Sequence, residues 1–166
     1  EAITILNTAN KLAVGGVTNV ATAADGLTSA LNAYGASAYE AEAFSDAMFV
    51  AVKNGKTTIG ELSAGMSIAA PIASQLGVSF NELQASVSAI TTVGTKTAVA
   101  YNQVRSVLES VLRPTKEASE AAGRMGLDFN AAALKAQGLQ GMLKNVAIAT
   151  GGSKEEMSKL FTTTES

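Results

Sequence analysis

The sequence predicts an all-α protein, a multi-helix bundle or irregular helical array of short, N-capped helices separated by glycines. Three observations carry this. Apolar residues recur in alternating steps of three and four along nearly the whole chain. At four expected helix starts a Ser or Thr is followed three residues later by Glu, the signature of a capping box. Alternating strand patterns are nearly absent.

The elements follow in order. Val20, Ala24, Leu27, Leu31 and Tyr34 form one helical face, and Gly35 ends it. Ser37 with Glu40 opens the next helix, which runs to Gly55. Thr58 with Glu61 then caps a helix whose face is Ile59, Leu62, Met66, Ala69, Ala73 and Leu76. Pro71 lies inside that helix, where it removes the donor facing the Ser67 carbonyl, so a kink or break is expected there. After Gly77, Ser79 with Glu82 caps the face Phe80, Leu83, Val87 and Ile90, and Gly94 closes it. Each of these four glycines is expected to stop its helix in the left-handed conformation. Ala100, Val104, Val107 and Val111 make the next face. Pro114 should end that helix and open another from a first-turn position.

The pattern loosens after Gly126. Asp128 is expected to cap a short helix, Gly138 and Gly141 to interrupt, and Leu139, Met142, Leu143 and Val146 to resume the apolar face. Thr150 to Ser153 reads as a loop, and Ser153 with Glu156 as the fourth capping box. The stops at Gly35, Gly55, Gly77 and Gly94 are spaced by 20, 22 and 17 residues. Gly-x-[Ser/Thr]-x-x-Glu occurs at Gly35–Glu40 and Gly77–Glu82. This reads as a weak repeat of single helices, because the period falls short of the roughly 33 to 47 residues of two-helix solenoid units. Bundle and solenoid stay open.

Composition narrows the function. The 166 residues include no Cys and no His, which removes thiolate nucleophiles, disulfides, the commonest general base and the commonest metal ligand. A net charge of -2 with 5% aromatics argues against a nucleic-acid surface. Alanine is abundant, so small residues must build the core. The charge-free stretch between Glu61 and Glu82 contains Ser63, Ser67, Pro71, Ser74, Gln75 and Gly77, which favours a kinked amphipathic helix and a turn over a membrane span. No secretory signal opens the sequence. Residues 1–166 read as a single helical domain excised from a longer chain, with a sub-boundary near 113–128.

No residue qualifies as catalytic, cofactor-binding or metal-binding. Gly55-Lys56-Thr57 looks like the end of a phosphate loop, but Val50 stands where the first glycine is needed and a helix precedes it. Among Glu40, Glu42, Asp46, Glu61, Glu82 and Glu109, three already serve as caps. Glu42 and Asp46 share a helix face as a charged edge rather than a glycosidase-like pair. Arg113, Lys116 and Arg124 gather around Pro114 and read as a solvated face. The Ala-rich faces suit either contacts with other subunits or packing within the domain, and both readings stand.

In its ordered features the chain resembles the core region of phage tail tape measure proteins, over roughly Leu12 to Phe161. The succession is "AADGLTSALNAYG", then "FSDAMFVAVKNGKTTIGELSAGMSIAAPIASQLGVSFNELQASVSAITTVG", then "AYNQVRSVLESVLRPTKEASEAAGRMGLDF" and "LQGMLKNV". The matching positions are Asp46, Asn54-Gly55, Thr58 with Glu61, Pro71, Gly77-Val78-Ser79, Gly94, Arg105, Pro114 and Gly126-Leu127. The sequence departs from the pattern at Thr95-Lys96-Thr97, in place of a Gly-Ser-like turn, and in its polar "FTTTES" end.

The resemblance implies a structural virion protein, not an enzyme, that helps tail assembly, length determination inside the tail tube and genome delivery. It implies the tail lumen as location, with the host cytoplasm during assembly. Its implied partners are the tail tube protein and tail assembly chaperones, self-association in a small oligomer and host envelope contact on ejection, with no specific nucleic acid and no cofactor. The alternative is a cellular helical self-association module of a secretion or surface system.

Overall fold

The computed structural model describes residues 2–161. Among them the chain forms α1 (Ala2–Gly15), α2 (Val20–Tyr34), a 3-10 turn (Ala38–Glu40), α3 (Ala41–Asn54), α4 (Ile59–Gln75), α5 (Phe80–Thr92), α6 (Thr97–Leu112), α7 (Lys116–Arg124), α8 (Ala131–Ala149) and α9 (Lys154–Leu160), with no strand. The fold is all-α, as the spacing of apolar residues predicts.

The first six helices stack in two layers. In one layer α2, α4 and α6 lie side by side; in the other, α1, α3 and α5 do. Each successive helix turns back across the array, so the nearest same-direction neighbour is two elements away. In the odd layer Lys11 of α1 pairs with Glu42 of α3 at 3.5 Å. Further along, Phe44 of α3 stacks on Phe80 of α5 at 4.4 Å, Ser88 Oγ donates to the Ala51 carbonyl at 3.1 Å, and Thr92 Oγ1 donates to the Asn54 carbonyl at 3.2 Å. These pairings advance together, so α3 and α5 run parallel.

The even layer repeats one contact. Gly26, the seventh residue of α2, meets Ser63, the fifth of α4; Gly65, the seventh of α4, meets Tyr101, the fifth of α6. A Cβ on Gly26 would lie 2.7 Å from Ser63 Cβ, and one on Gly65 2.5 Å from Tyr101 Cε2. Small residues at these crossings let the helices approach closely. The repeating unit is therefore a helix pair of 39 residues, from Gly26 to Gly65, and not the single helix that glycine spacing suggests. That length lies within the usual range for two-helix solenoid units. The seventh residue of α6 is Gln103, too large for the same close contact, and the regular stacking ends there.

The core is built largely from alanine, including Ala9, Ala23, Ala30, Ala69, Ala70 and Ala73, around the fully buried Leu62, Met66, Leu83, Tyr101 and Leu108. Tyr101 and Gln84 hydrogen-bond to each other inside it, with Gln84 Nε2 3.1 Å from the Tyr101 oxygen. Burial pushes the Tyr101 hydroxyl up to about 12.

Several local expectations are corrected. Gly35, Gly77 and Gly94 do adopt positive φ, but Gly55 is extended at φ -106°. What Gly55 provides is space, because a Cβ there would sit 2.6 Å from Thr91 Oγ1 and 2.8 Å from Ser88 Oγ. Pro71 does not break α4, which runs continuously from Ile59 to Gln75. Both Pro71 and Ser67 are exposed, so water can satisfy the freed carbonyl. Pro114 lies just outside α7, whose cap is Thr115 accepting from the Ala118 amide at 3.1 Å. The fourth capping box is half made. Ser153 Oγ accepts from the Glu156 amide at 3.4 Å, while the Glu156 carboxylate turns to Lys159. Of the polar "FTTTES" end, residues 162–166 lie outside the described residues.

Asp128 does not cap α8. Asn130 does, accepting from the Ala133 amide at 2.9 Å. Replacing Asn130 with Ala should therefore cost about 1 kcal/mol in urea unfolding. Asp128→Ala should stay within about 0.5 kcal/mol of the parent, as an exposed substitution without such a role does; the reverse order would restore Asp128 as the cap.

Candidate functional site

Three of the capping carboxylates hold their helix starts as the sequence indicates. Glu40 accepts from the Ser37 amide at 2.9 Å, Glu61 from the Thr58 amide at 3.0 Å and Glu82 from the Ser79 amide at 3.1 Å. Glu109 binds Arg105 Nε at 2.7 Å. Glu42 pairs with Lys11, and Asp46 is exposed one turn away on α3. These carboxylates are committed to amides or cations, or face solvent. Among the described residues no group of three or more metal-ligating side chains gathers.

Thr57, of the phosphate-loop-like Gly55-Lys56-Thr57, is buried and hydrogen-bonded to Thr97 at 2.8 Å, so the segment ties α4 to α6. Arg113 and Arg124 stand at the ends of α6 and α7, where positive charge meets the carbonyl end of the helix dipole. Lys116 pairs with Glu120 at 3.9 Å.

Two apolar clefts flank α5. One of about 630 Å³ lies between α5, α6 and the second half of α8, lined by Ala85, Ala89, Ile90, Val104, Val107 and Leu143. The other, of about 620 Å³, lies between α3 and α5 and shares Ala85 and Ala89 with the first. Both arise because the exposed side of α5 carries alanines, leaving hollows between the bulkier neighbouring ridges. Their walls are mainly apolar, with Glu82 and Asp46 among the polar residues that line them, and they offer surface for apolar contact.

Glu82 lies on the rim of the larger cleft and has a partner that sequence reasoning missed. Its Oε2 serves the α5 cap, and its Oε1 accepts from the Leu139 amide of α8 at 3.0 Å. At that point α8 is divided by Gly138, at φ +72° and ψ 169°. Gly141, also expected to interrupt, stays helical. The two partners stand 57 residues apart, and no local pattern links them.

None of the helices among the described residues is long and apolar enough to cross a membrane. The family described as phage-related minor tail protein has a model that matches residues 1–163. Comparison with curated proteins and with solved structures gives no match.

Proposed function

From the premise that this chain belongs to the phage-related minor tail protein family, a family of virion tail components, we propose that it is a segment of a tape measure protein. In this reading it acts inside the tail tube in assembly and length determination, and later in genome delivery. The family match over residues 1–163 carries the proposal. The ordered resemblance from Leu12 to Phe161 narrows it from tail protein to tape measure. The role is structural, with no catalysis and no cofactor. The tail tube protein and assembly chaperones are the proposed partners, and the alanine-lined clefts beside α5 offer apolar surface for them or for another copy.

The two-layer packing also bears on how a ruler would use this segment. Fully helical and extended, 166 residues would span about 250 Å. Folded as six stacked helices and a three-helix extension, the same chain is far shorter. The proposal therefore assigns most of the measuring to other parts of a longer chain and gives this segment a role as a packed module.

The test is an in-frame deletion of residues 37–112 in a phage carrying this protein, with tail length read by electron microscopy. The expected result is loss of infectious particles without the shortening of about 110 Å that an extended helix of that length would produce. Shortening by that amount would show that the module unpacks and is counted. Normal length with normal infection would refute the role.

A further inference from the structure

We infer that Glu82 is a latch that closes the second half of α8 over the open end of the helix array, with Gly138 as its hinge. The regular stacking stops at α6, where Gln103 occupies the position held by Gly26 and Gly65 in the earlier helices. The end face of α5 and α6 would otherwise present Ile90, Val104 and Val107 to solvent, and Leu139 and Leu143 of α8 lie over it across an incompletely filled cleft. Packing between α6 and α8 is sparse compared with that within the array. Polar attachment is correspondingly important there.

The attachment is one carboxylate serving two helix starts. Glu82 Oε2 accepts from the Ser79 amide at 3.1 Å and the Ser79 hydroxyl at 3.0 Å, while Oε1 accepts from the Leu139 amide at 3.0 Å. The break at Gly138 starts a new helical run, whose first amides lack intrahelical partners. A negative charge at that start is favourable both as acceptor and against the helix dipole. Gly138 suits the latch twice over. Its φ and ψ belong to a region essentially reserved for glycine, and a Cβ would stand 2.7 Å from Glu82 Oε1. Lys135, one turn earlier, lies beside the Gly77 turn that precedes α5.

Hydrogen exchange on the whole chain tests this with three variants. E82A removes the latch and the α5 capping box together. G138A disturbs the latch but leaves the box, and E61A removes the equivalent box of α4 with no tie to α8. E82A and G138A should each speed exchange of the Leu139, Met142 and Leu143 amides at least tenfold, and the double variant should add little to either. E61A should leave those amides at the parent rate. The latch is overturned if those amides keep the parent rate in E82A and G138A. It is equally overturned if they respond to E61A as strongly, or if core amides such as Leu62 and Met66 accelerate by the same factor, since either result means general loosening.

Discussion

Gly65→Ala should lower the unfolding free energy by about 2–3 kcal/mol, although alanine is the better helix former by about 1 kcal/mol. The added methyl points into the Tyr101 ring, 3.1 Å from its Cγ and nearer still to the ring edge. That ring cannot easily move, being fully buried with its hydroxyl tied to Gln84. α4 and α6 must then separate, and Tyr101 must surrender either its packing or its hydrogen bond. Gly123→Ala is the control. It lies within α7, and a Cβ there would meet nothing within 4 Å. It should gain about 0.5–1 kcal/mol from helix propensity alone. Urea unfolding of both variants decides the matter: equal signs would mean that the α4–α6 crossing tolerates a wider spacing.

Phe80→Ala should be costlier, about 3–5 kcal/mol. Phe80 stacks on Phe44, and both rings receive the edge of Tyr34, at 5.6 Å and 5.8 Å between centroids. In a chain with few aromatics this cluster concentrates apolar area where α2, α3 and α5 meet, and removing its central ring leaves a cavity that small neighbours cannot fill. Tyr34→Phe should do the opposite and stabilise by about 1 kcal/mol. The Tyr34 hydroxyl is buried without a hydrogen-bond partner among the described residues, and burial raises its pKa well above the ordinary tyrosine value. Its removal deletes an uncompensated desolvation and keeps the ring contacts. Thermal and urea unfolding of both variants would check the pair; a destabilised Tyr34→Phe would mean that the hydroxyl has a partner.

Local features of the fold were legible because they rest on residues close in sequence. Ser79 and Glu82 specify a helix start through groups three positions apart, and the apolar face of α4 announces itself by spacing alone. Asn130 and Asp128 can each cap a helix, and the choice between them depends on where α8 meets its neighbours. Gly55 carries a related ambiguity: glycine signals both a left-handed turn and a tight contact, and only Ser88 and Thr91 across the interface tell which. The pairing of alternate helices was hidden because the repeated contact, glycine against the fifth residue of the next helix in the layer, uses unlike residues, Ser63 once and Tyr101 once. Glu82 displayed its local partner in sequence and concealed the distant one. For the clefts, the alanines were visible but the ridges flanking them were not.

The alanine-rich interior has a consequence for how this sequence can change. An alanine loses no rotamer freedom on burial, so the array forms with little side-chain ordering, and each methyl contributes less than about 1 kcal/mol. Trimming one of Ala69, Ala70 or Ala73 to glycine loses that methyl and, inside α4, about 1 kcal/mol of helix propensity as well. Enlarging one collides with helices already at close range, as the Gly26 and Gly65 crossings show. Variation within the stacked helices is thus asymmetric, with a moderate cost for contraction and a severe one for growth. Drift toward bulkier side chains has its outlet on the outer faces, where Val50, Val93 and Val99 already stand in solvent.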